Sequence, residues 1–83
     1  MVAVQIRYWA GAAAAAGVEH ETIAADSVQA ALTTARADRG AGFASVLDVC
    51  SILVGGRRQG ADQLAQPLTE PTEVEVLPPF AGG

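Results

Sequence analysis

Hydrophobic residues recur at every second position in the opening segment, from Val2 to Trp9, as they do in a half-buried β-strand. This segment is predicted to be the first strand. Arg7 and Trp9 fall on its outward side, where an exposed tryptophan would form a contact surface, because Trp is enriched among interface hot spots. The alternative is that the Trp9 ring folds under a loop. The residues predicted to face the core are Val2, Val4, Ile6 and Tyr8.

A helical period of about 3.6 residues predicts the main helix further along the chain. Asp26 is predicted as its N-cap, with Gln29 completing a capping box, and Gly40 as its end. Arg36 and Arg39 fall in the last turn, where they complement the helix dipole on a solvated face. The predicted apolar stripe is Val28, Ala31, Leu32 and Ala35.

Shorter patterns predict the remaining elements. In the first half of the chain they are a loop at Gly11 to Gly17 with one helical turn closed by Gly17, a strand at Val18 to Ile23, and a core-facing helical turn around Phe43, Val46 and Leu47. In the second half they are a strand at Cys50 to Val54 with a hairpin turn at Gly55-Gly56, an irregular segment at Gln59 to Leu68 anchored by Leu64 and Leu68, and a last strand at Glu73 to Leu77. In the last strand, Val74 and Val76 are predicted to point inward and Leu77 outward.

This order of elements predicts an α+β fold of the β-grasp type, with a mixed sheet of four to five strands packed against one main helix. A first hairpin, a helix across one face and a last strand returning to the sheet centre satisfy the right-handed crossover rule. Pro78 follows the last strand and does not interrupt it, which suits a central strand. We expect a β-grasp domain at residues 1–77 and a tail at residues 78–83.

Composition narrows the classes of function. A chain of 83 residues with 51% hydrophobic residues is long enough for one small globular domain. A formal net charge of −4 repels a phosphate backbone, so nucleic-acid binding is not expected. The apolar opening lacks a preceding basic region and is interrupted by Arg7, so neither a secretory signal nor a membrane span is expected. A single cysteine permits no internal disulfide, which fits a reducing, cytoplasmic location.

Side chains with catalytic or metal-binding chemistry are sparse. His20, the one histidine, has no visible companion and is interpreted as a solvated strand residue. Cys50 is interpreted as a small buried hydrophobe and not as a reactive thiol. The Arg57-Arg58 pair is either solvated surface or a dock for an acidic patch. With no nucleotide-binding loop and no acid–base pair in the sequence, we expect no tightly bound cofactor, no metal and no catalytic side chain.

The final stretch, from Val74 to Gly83, carries the strongest functional signal. Pro78 and Pro79 remove two successive backbone donors, so strand pairing must stop there. At about 3.1–3.6 Å per residue, the segment from Pro78 to Gly83 reaches roughly 20 Å beyond the sheet, enough to bring the Gly83 carboxylate into a partner's active site. A disordered end is the plainer alternative. The residues after the prolines carry no charged side chain and are Phe80, Ala81, Gly82 and Gly83.

The segments RYWAGAAAAAG, CSILVGG and above all VEVLPPFAGG resemble the MoaD/ThiS family of ubiquitin-like sulfur carriers, specifically the small subunit of molybdopterin synthase. The resemblance covers the whole chain and implies a role in molybdenum cofactor biosynthesis. It implies that a ubiquitin-activating-type partner adenylates the Gly83 carboxylate with ATP and Mg²⁺. Sulfur from a sulfurtransferase would then form a thiocarboxylate, which serves the large synthase subunit.

The same resemblance assigns roles to other residues. Arg7, Trp9 and Leu77 would form the partner interface on the outer face of the sheet. The catalytic groups would lie on the partners, so the chain would be a carrier subunit without catalytic side chains of its own. The tail residues that would bind in a partner's narrow channel are Pro78, Pro79, Phe80, Ala81 and Gly82.

Two segments depart from the family pattern. Family members usually place an Arg-Glu pair where this chain has Ala12 to Ala16, and an Asp-Gly-Asp turn where it has Glu70-Pro71-Thr72. Other functions stay open: a sulfur carrier for thiamine or cysteine biosynthesis, a ubiquitin-like protein modifier, or a β-grasp binding module. The chain contains no lysine, so a modifier of this sequence would not build polymers on its own side chains.

Overall fold

The computed structural model describes residues 1–79. Within them, no helix is long and apolar enough to cross a membrane. The elements in chain order are β1 (Val2–Tyr8), α1 (Ala10–Ala16), β2 (His20–Ala25), α2 (Val28–Arg39), α3 (Ala41–Asp48), β3 (Ser51–Val54), β4 (Arg57–Arg58), α4 (Ala61–Leu64) and β5 (Thr72–Leu77).

The strands within residues 1–79 form one five-stranded mixed sheet in the order β2-β1-β5-β3-β4. β5 pairs parallel with β1 and antiparallel with β3, so the last strand is central, as predicted. β1 with β2 and β3 with β4 are antiparallel neighbours. Gly55 and Gly56, both with positive φ (59° and 78°), form the predicted turn between β3 and β4. This positive-φ pair suits the twist of a tight hairpin.

The core lies between one face of the sheet and the helices α1, α2 and α3. Val4, Ile6 and Tyr8 of β1 and Val74 and Val76 of β5 are buried, as their alternation predicted. Each large side chain contributes about 1.5–3 kcal/mol by leaving water. The helices supply the opposite half of the core, which is Ala12, Val28, Ala31, Leu32, Ala35, Phe43 and Leu47.

The main helix begins one residue later than predicted. Ser27 is the N-cap of α2, and its Oγ accepts a hydrogen bond from the Ala30 N–H at 3.0 Å. The predicted Asp26–Gln29 capping box is wrong, because the extended backbone at Ser27 aims its hydroxyl at the open first turn. The Asp26 carboxylate lies 3.3 Å from the Met1 amino group instead. Gly40 ends the helix as predicted, with φ at 84°.

The alanine-rich segment is more ordered than predicted. It forms the seven-residue helix α1 in place of a loop with one helical turn. Alanine has the highest helix propensity, and Gly17, left-handed with φ at 79°, terminates the helix as predicted.

Other elements also differ from their predicted bounds. β1 ends at Tyr8 and not at Trp9, β3 begins at Ser51 and not at Cys50, and β5 begins at Thr72 and not at Glu73. The second strand begins at His20 and not at Val18, since α1 and its cap use the residues before it. The turn around Phe43 is the full helix α3, and the segment predicted to be irregular contains the one-turn helix α4. Leu64 and Leu68, the anchors of that segment, pack against the core.

Candidate docking surface at the end of the central strand

β5 leads the chain out of the sheet between two neighbouring strands. Its pairing ends at Leu77, opposite Ser51 of β3, and Pro78 and Pro79 follow without strand structure, as predicted. Leu77 and Pro78 are half-buried and Pro79 is exposed. The predicted tail residues Phe80, Ala81, Gly82 and Gly83 lie outside the described residues.

The sheet face opposite the helices, here called the outer face, carries a row of mostly polar side chains. Strand register aligns one residue from each strand across the sheet. Because neighbours in register share a face, and because these residues alternate with buried ones, they point away from the core. From β2 to β4, the row is His20, Arg7, Glu75, Leu53 and Arg58.

Trp9 lies beside this row, directly after β1. It is 39% exposed, so the predicted exposure is confirmed and the alternative of a ring under a loop is not. Its Nε1–H donates a hydrogen bond to Glu75 Oε2 at 2.9 Å. The Arg7 guanidinium carbon lies 4.5 Å from the centroid of the ring, within cation–π range. These three residues are called the Trp9 cluster below.

The backbone also fixes Trp9. Its N–H donates to the Val76 carbonyl of β5 at 3.1 Å, and its carbonyl accepts from Ala12 N–H at 2.9 Å at the start of α1. The turn from β1 into α1 is made at Ala10, which is left-handed with φ at 46°. A non-glycine residue with this backbone angle is destabilised by roughly 1–2 kcal/mol through steric clash. The strained residue directly follows Trp9. Trp9 is therefore tied to the strand that leads into the tail.

A second cluster joins the end of β1, the strand β2 and the last turn of α2. The Tyr8 hydroxyl donates to Glu21 Oε2 at 2.5 Å, and Arg39 Nη1 lies 2.7 Å from the same oxygen. The Arg39 guanidinium also lies over the Tyr8 and Phe43 rings, 5.7 and 5.3 Å from their centroids, and its Nε–H donates to the Ala16 carbonyl. The prediction that Arg39 lies on a solvated helix face is wrong, because its side chain is only 17% exposed.

Tyr8 is electrostatically the most perturbed group in this cluster. Burial of the phenol raises the pKa of Tyr8 well above its usual value, and the hydrogen bond to the negatively charged Glu21 raises it further. The nearby Arg39 opposes this rise only partly. At neutral pH, Tyr8 is therefore protonated and donates its hydrogen bond to Glu21.

The other singled-out side chains have ordinary environments. His20 is exposed, as predicted. Cys50 precedes β3 and packs against the core, but it is half-buried and not buried as predicted. Its Sγ lies 3.1 Å from the Val46 carbonyl, and partial burial raises the pKa of its thiol. Arg57 and Arg58 are both exposed, on opposite faces of their short strand.

Comparison with known proteins identifies solved structures that share this fold. No protein-family profile and no curated protein matches the sequence. Among solved structures, small archaeal modifier protein 1 of Methanosarcina acetivorans superposes with a TM-score of 0.80 at 21% identity, covering 100% of this chain and 98% of that one. Small archaeal modifier protein 1 of Haloferax volcanii superposes with a TM-score of 0.78 at 21% identity, covering 98% of this chain and 99% of that one. A chain from the complex of subunits 1 and 2 of the Helicobacter pylori molybdopterin-converting factor superposes with a TM-score of 0.70 at 22% identity. The match covers 98% of this chain and 99% of that one.

The chain therefore has the ubiquitin-like β-grasp fold that its pattern predicted. The modifier proteins and the molybdopterin-converting-factor subunit share this fold with the chain. The sequence interpretation missed Glu75 and the Glu21–Arg39 pair. The alternation of β5 put Glu75 on the outer face, but only strand register reveals that Arg7 is its neighbour.

Proposed function

We propose that this chain is a sulfur carrier that works with molybdopterin synthase, and that its reactive group is the carboxylate of Gly83. The observation that carries the proposal is a central strand followed at once by two prolines, with only Phe80 and Ala81 between the prolines and the terminal diglycine. Proline fixes φ and ends pairing, and glycine lets a backbone enter a channel that a Cβ would crowd. This arrangement suits a tail that other proteins act on.

The chemistry follows from the properties of a carboxylate. At pH 7 a terminal carboxyl, with a pKa of about 3.5, is ionised and resists attack by nucleophiles. In the proposed sequence, the Gly83 carboxylate oxygen attacks the α-phosphorus of ATP and releases pyrophosphate. Sulfide-level sulfur then attacks the carbonyl carbon, so that a C–S bond forms and the C–O bond to AMP breaks. The products are AMP and a thiocarboxylate.

Other proteins supply the catalytic groups in this proposal. An adenylating enzyme of the ubiquitin-activating type holds ATP and Mg²⁺, a sulfurtransferase delivers sulfur, and the large synthase subunit receives it for the dithiolene of molybdopterin. Support for the large subunit comes from the Helicobacter pylori neighbour, which was solved as a complex of its two subunits. The chain itself contributes the outer face with Arg7, Trp9 and Leu77, and the tail from Pro78 to Gly83. Its setting would be cytoplasmic, where ATP is available.

A ubiquitin-like modifier is the second candidate, favoured by the two archaeal modifier neighbours. Such a modifier uses the same activated carboxylate but transfers it to an amine. Because the chain has no lysine, it would attach singly and would not extend on its own side chains. A sulfur carrier for thiamine or cysteine biosynthesis differs from the first proposal only in the protein that accepts the sulfur.

Intact-mass analysis of the protein isolated from its native host tests the proposal. A mass gain equal to the exchange of one oxygen for one sulfur, on a chain ending at Gly83, is the expected result. A large synthase subunit should copurify. Lysine-linked adducts in place of the sulfur-bearing form would favour the modifier, and a chain ending beyond Gly83 without sulfur would refute both.

Deletion of Gly83 provides the functional test. Thiocarboxylate formation and synthase activity should be lost while the melting temperature stays nearly unchanged, because the core residues of the described chain extend only to Val76. Gly42→Ala is the matched control: beyond the backbone of its own helix and its chain neighbours, an added methyl there meets no atom within 4 Å, so activity should persist. Full activity without Gly83 would rule out the carrier.

A further inference from the structure

We propose that Glu75 and Arg7 are positioning residues that hold the Trp9 ring in place for docking onto the large synthase subunit. The inference rests on the proposed function, since it takes the large subunit as the partner. It adds a defined role for these two residues within the partner interface: each acts on binding through the indole.

The Trp9 side chain is restrained at two separate points. Its one polar atom is bonded to Glu75, and Arg7 lies over the ring. Arg7 and Glu75 are parallel-strand partners, so two neighbouring strands together define the position of the ring. Although exposed at 39%, the indole therefore does not swing freely, and what it exposes is apolar ring surface.

The restrained ring stands next to the exit of the tail. Trp9 N–H is bonded to the Val76 carbonyl, one residue before Leu77 and two before Pro78. At about 3.3 Å per residue, Glu75 lies only roughly 13 Å along the chain from Pro79. A protein that receives the tail beyond Pro79 therefore meets the Trp9 cluster in the same encounter.

The chemistry of the cluster indicates what the partner offers. The indole N–H is already bonded to Glu75, so the partner gains nothing by supplying another acceptor. The fitting counterpart is an apolar concave patch on the large subunit, which an aromatic anchor fills. Ordering a side chain at an interface reduces the free energy of binding by about 0.5–1.5 kcal/mol. Because Glu75 and Arg7 already order the Trp9 ring in the free protein, this loss does not occur on docking.

A double-mutant cycle separates positioning from direct contact. The dissociation constant is measured between the purified carrier and the purified large synthase subunit of the same organism. Glu75→Ala should weaken binding by about 5-fold in the wild-type background, the effect of freeing one side chain. In a Trp9→Ala background, Glu75→Ala should change binding less than 2-fold. The same cycle with Arg7→Ala should give the same pattern.

Two variants of β5 serve as controls. Glu75→Gln keeps an oxygen that accepts from the indole and should bind within about 2-fold of wild type, which a direct charge contact would not allow. Glu73→Ala removes a carboxylate from the same strand and face, where Glu73 is opposite Gln5, and should change little. In the free carrier, acrylamide quenching of the single tryptophan should increase in Glu75→Ala and not in Glu73→Ala.

The outcomes distinguish this inference from the proposed function. An undiminished effect of Glu75→Ala in the Trp9→Ala background would overturn the positioning role, because Glu75 would then contact the partner itself. A wild-type carrier that bears sulfur but does not bind the large subunit would also overturn it, while leaving a carrier role for another acceptor. Loss of the sulfur-bearing form itself refutes the proposed function instead.

Discussion

Replacing Arg39 by alanine should destabilise this protein far more than replacing Arg36, although both arginines lie in the last turn of α2 and both form ion pairs. Arg36 Nη2 lies 2.6 Å from Asp48 Oδ1, but these two side chains are 45% and 57% exposed. Arg39 and Glu21 are 17% and 21% exposed. The pair of variants therefore compares an arginine in a largely buried cluster with an arginine in an exposed ion pair.

The magnitude follows from the contacts of Arg39. Breaking a buried ion pair lowers the free energy of unfolding by about 3–5 kcal/mol, and breaking a surface pair lowers it by about 0–1 kcal/mol. The Arg39–Glu21 pair, with about one-fifth of its surface exposed, lies between these limits, at about 2 kcal/mol. The cation–π contacts with Tyr8 and Phe43 and the hydrogen bond to the Ala16 carbonyl add roughly 1–2 kcal/mol. Because neighbouring contacts do not add fully, we expect a loss of about 3 kcal/mol. For Arg36→Ala we expect less than about 1 kcal/mol.

Thermal and urea unfolding, followed by far-UV circular dichroism at pH 7, measure this difference. At about 4–8 °C per kcal/mol for a domain of this size, Arg39→Ala should lower the melting temperature by roughly 12–24 °C, and Arg36→Ala by only a few degrees. Both variants remove one positive charge and replace an arginine in the last turn of α2 by alanine, a stronger helix former. Equal losses in the two variants would refute the assignment of Arg39 to a buried cluster.

Two further predictions test the N-cap and the titration of Tyr8. Ser27→Ala should cost about 1 kcal/mol in urea unfolding, whereas Asp26→Ala should cost clearly less, and the reverse order would restore Asp26 as the cap. Because the folded pKa of Tyr8 is raised above the unfolded value of about 10, the folded state retains its proton where the unfolded state loses it. The contribution of Tyr8 to stability is therefore fully present below pH 10 and lost as the pH rises above it. As Tyr8 is the only tyrosine, absorbance near 295 nm should show no tyrosinate before alkaline unfolding. The variant Tyr8→Phe should remove this part of the pH dependence of stability. Ionisation of Tyr8 in the native protein, before unfolding, would contradict the burial of its hydroxyl.

The relation between sequence and structure differs between the two clusters. Arg39 looked like a helix-end cation because the sequence places it three residues from Arg36, in the same last turn. Three residues advance the helix by about 300°, so the two positions differ by only about 60° around the axis. Even so, Arg39 pairs with Glu21 of β2 and Arg36 pairs with Asp48 at the end of α3. Only the packing of α2 against the strands shows which of the two reaches a buried carboxylate. Likewise, Ser27 and Asp26 are both good caps, and the backbone angle at Ser27 selects between them.

The sequence by itself determined the features that depend on local periodicity and on backbone chemistry. Alternation set the buried faces of β1 and β5, Gly17 and Gly40 ended their helices, and Pro78 ended the last strand, because each of these effects acts over a few residues. The tertiary structure alone decided the Trp9 cluster and the Tyr8–Glu21–Arg39 cluster. Their members come from strands and helices far apart in the chain, and only strand register and helix packing bring their charges within bonding distance.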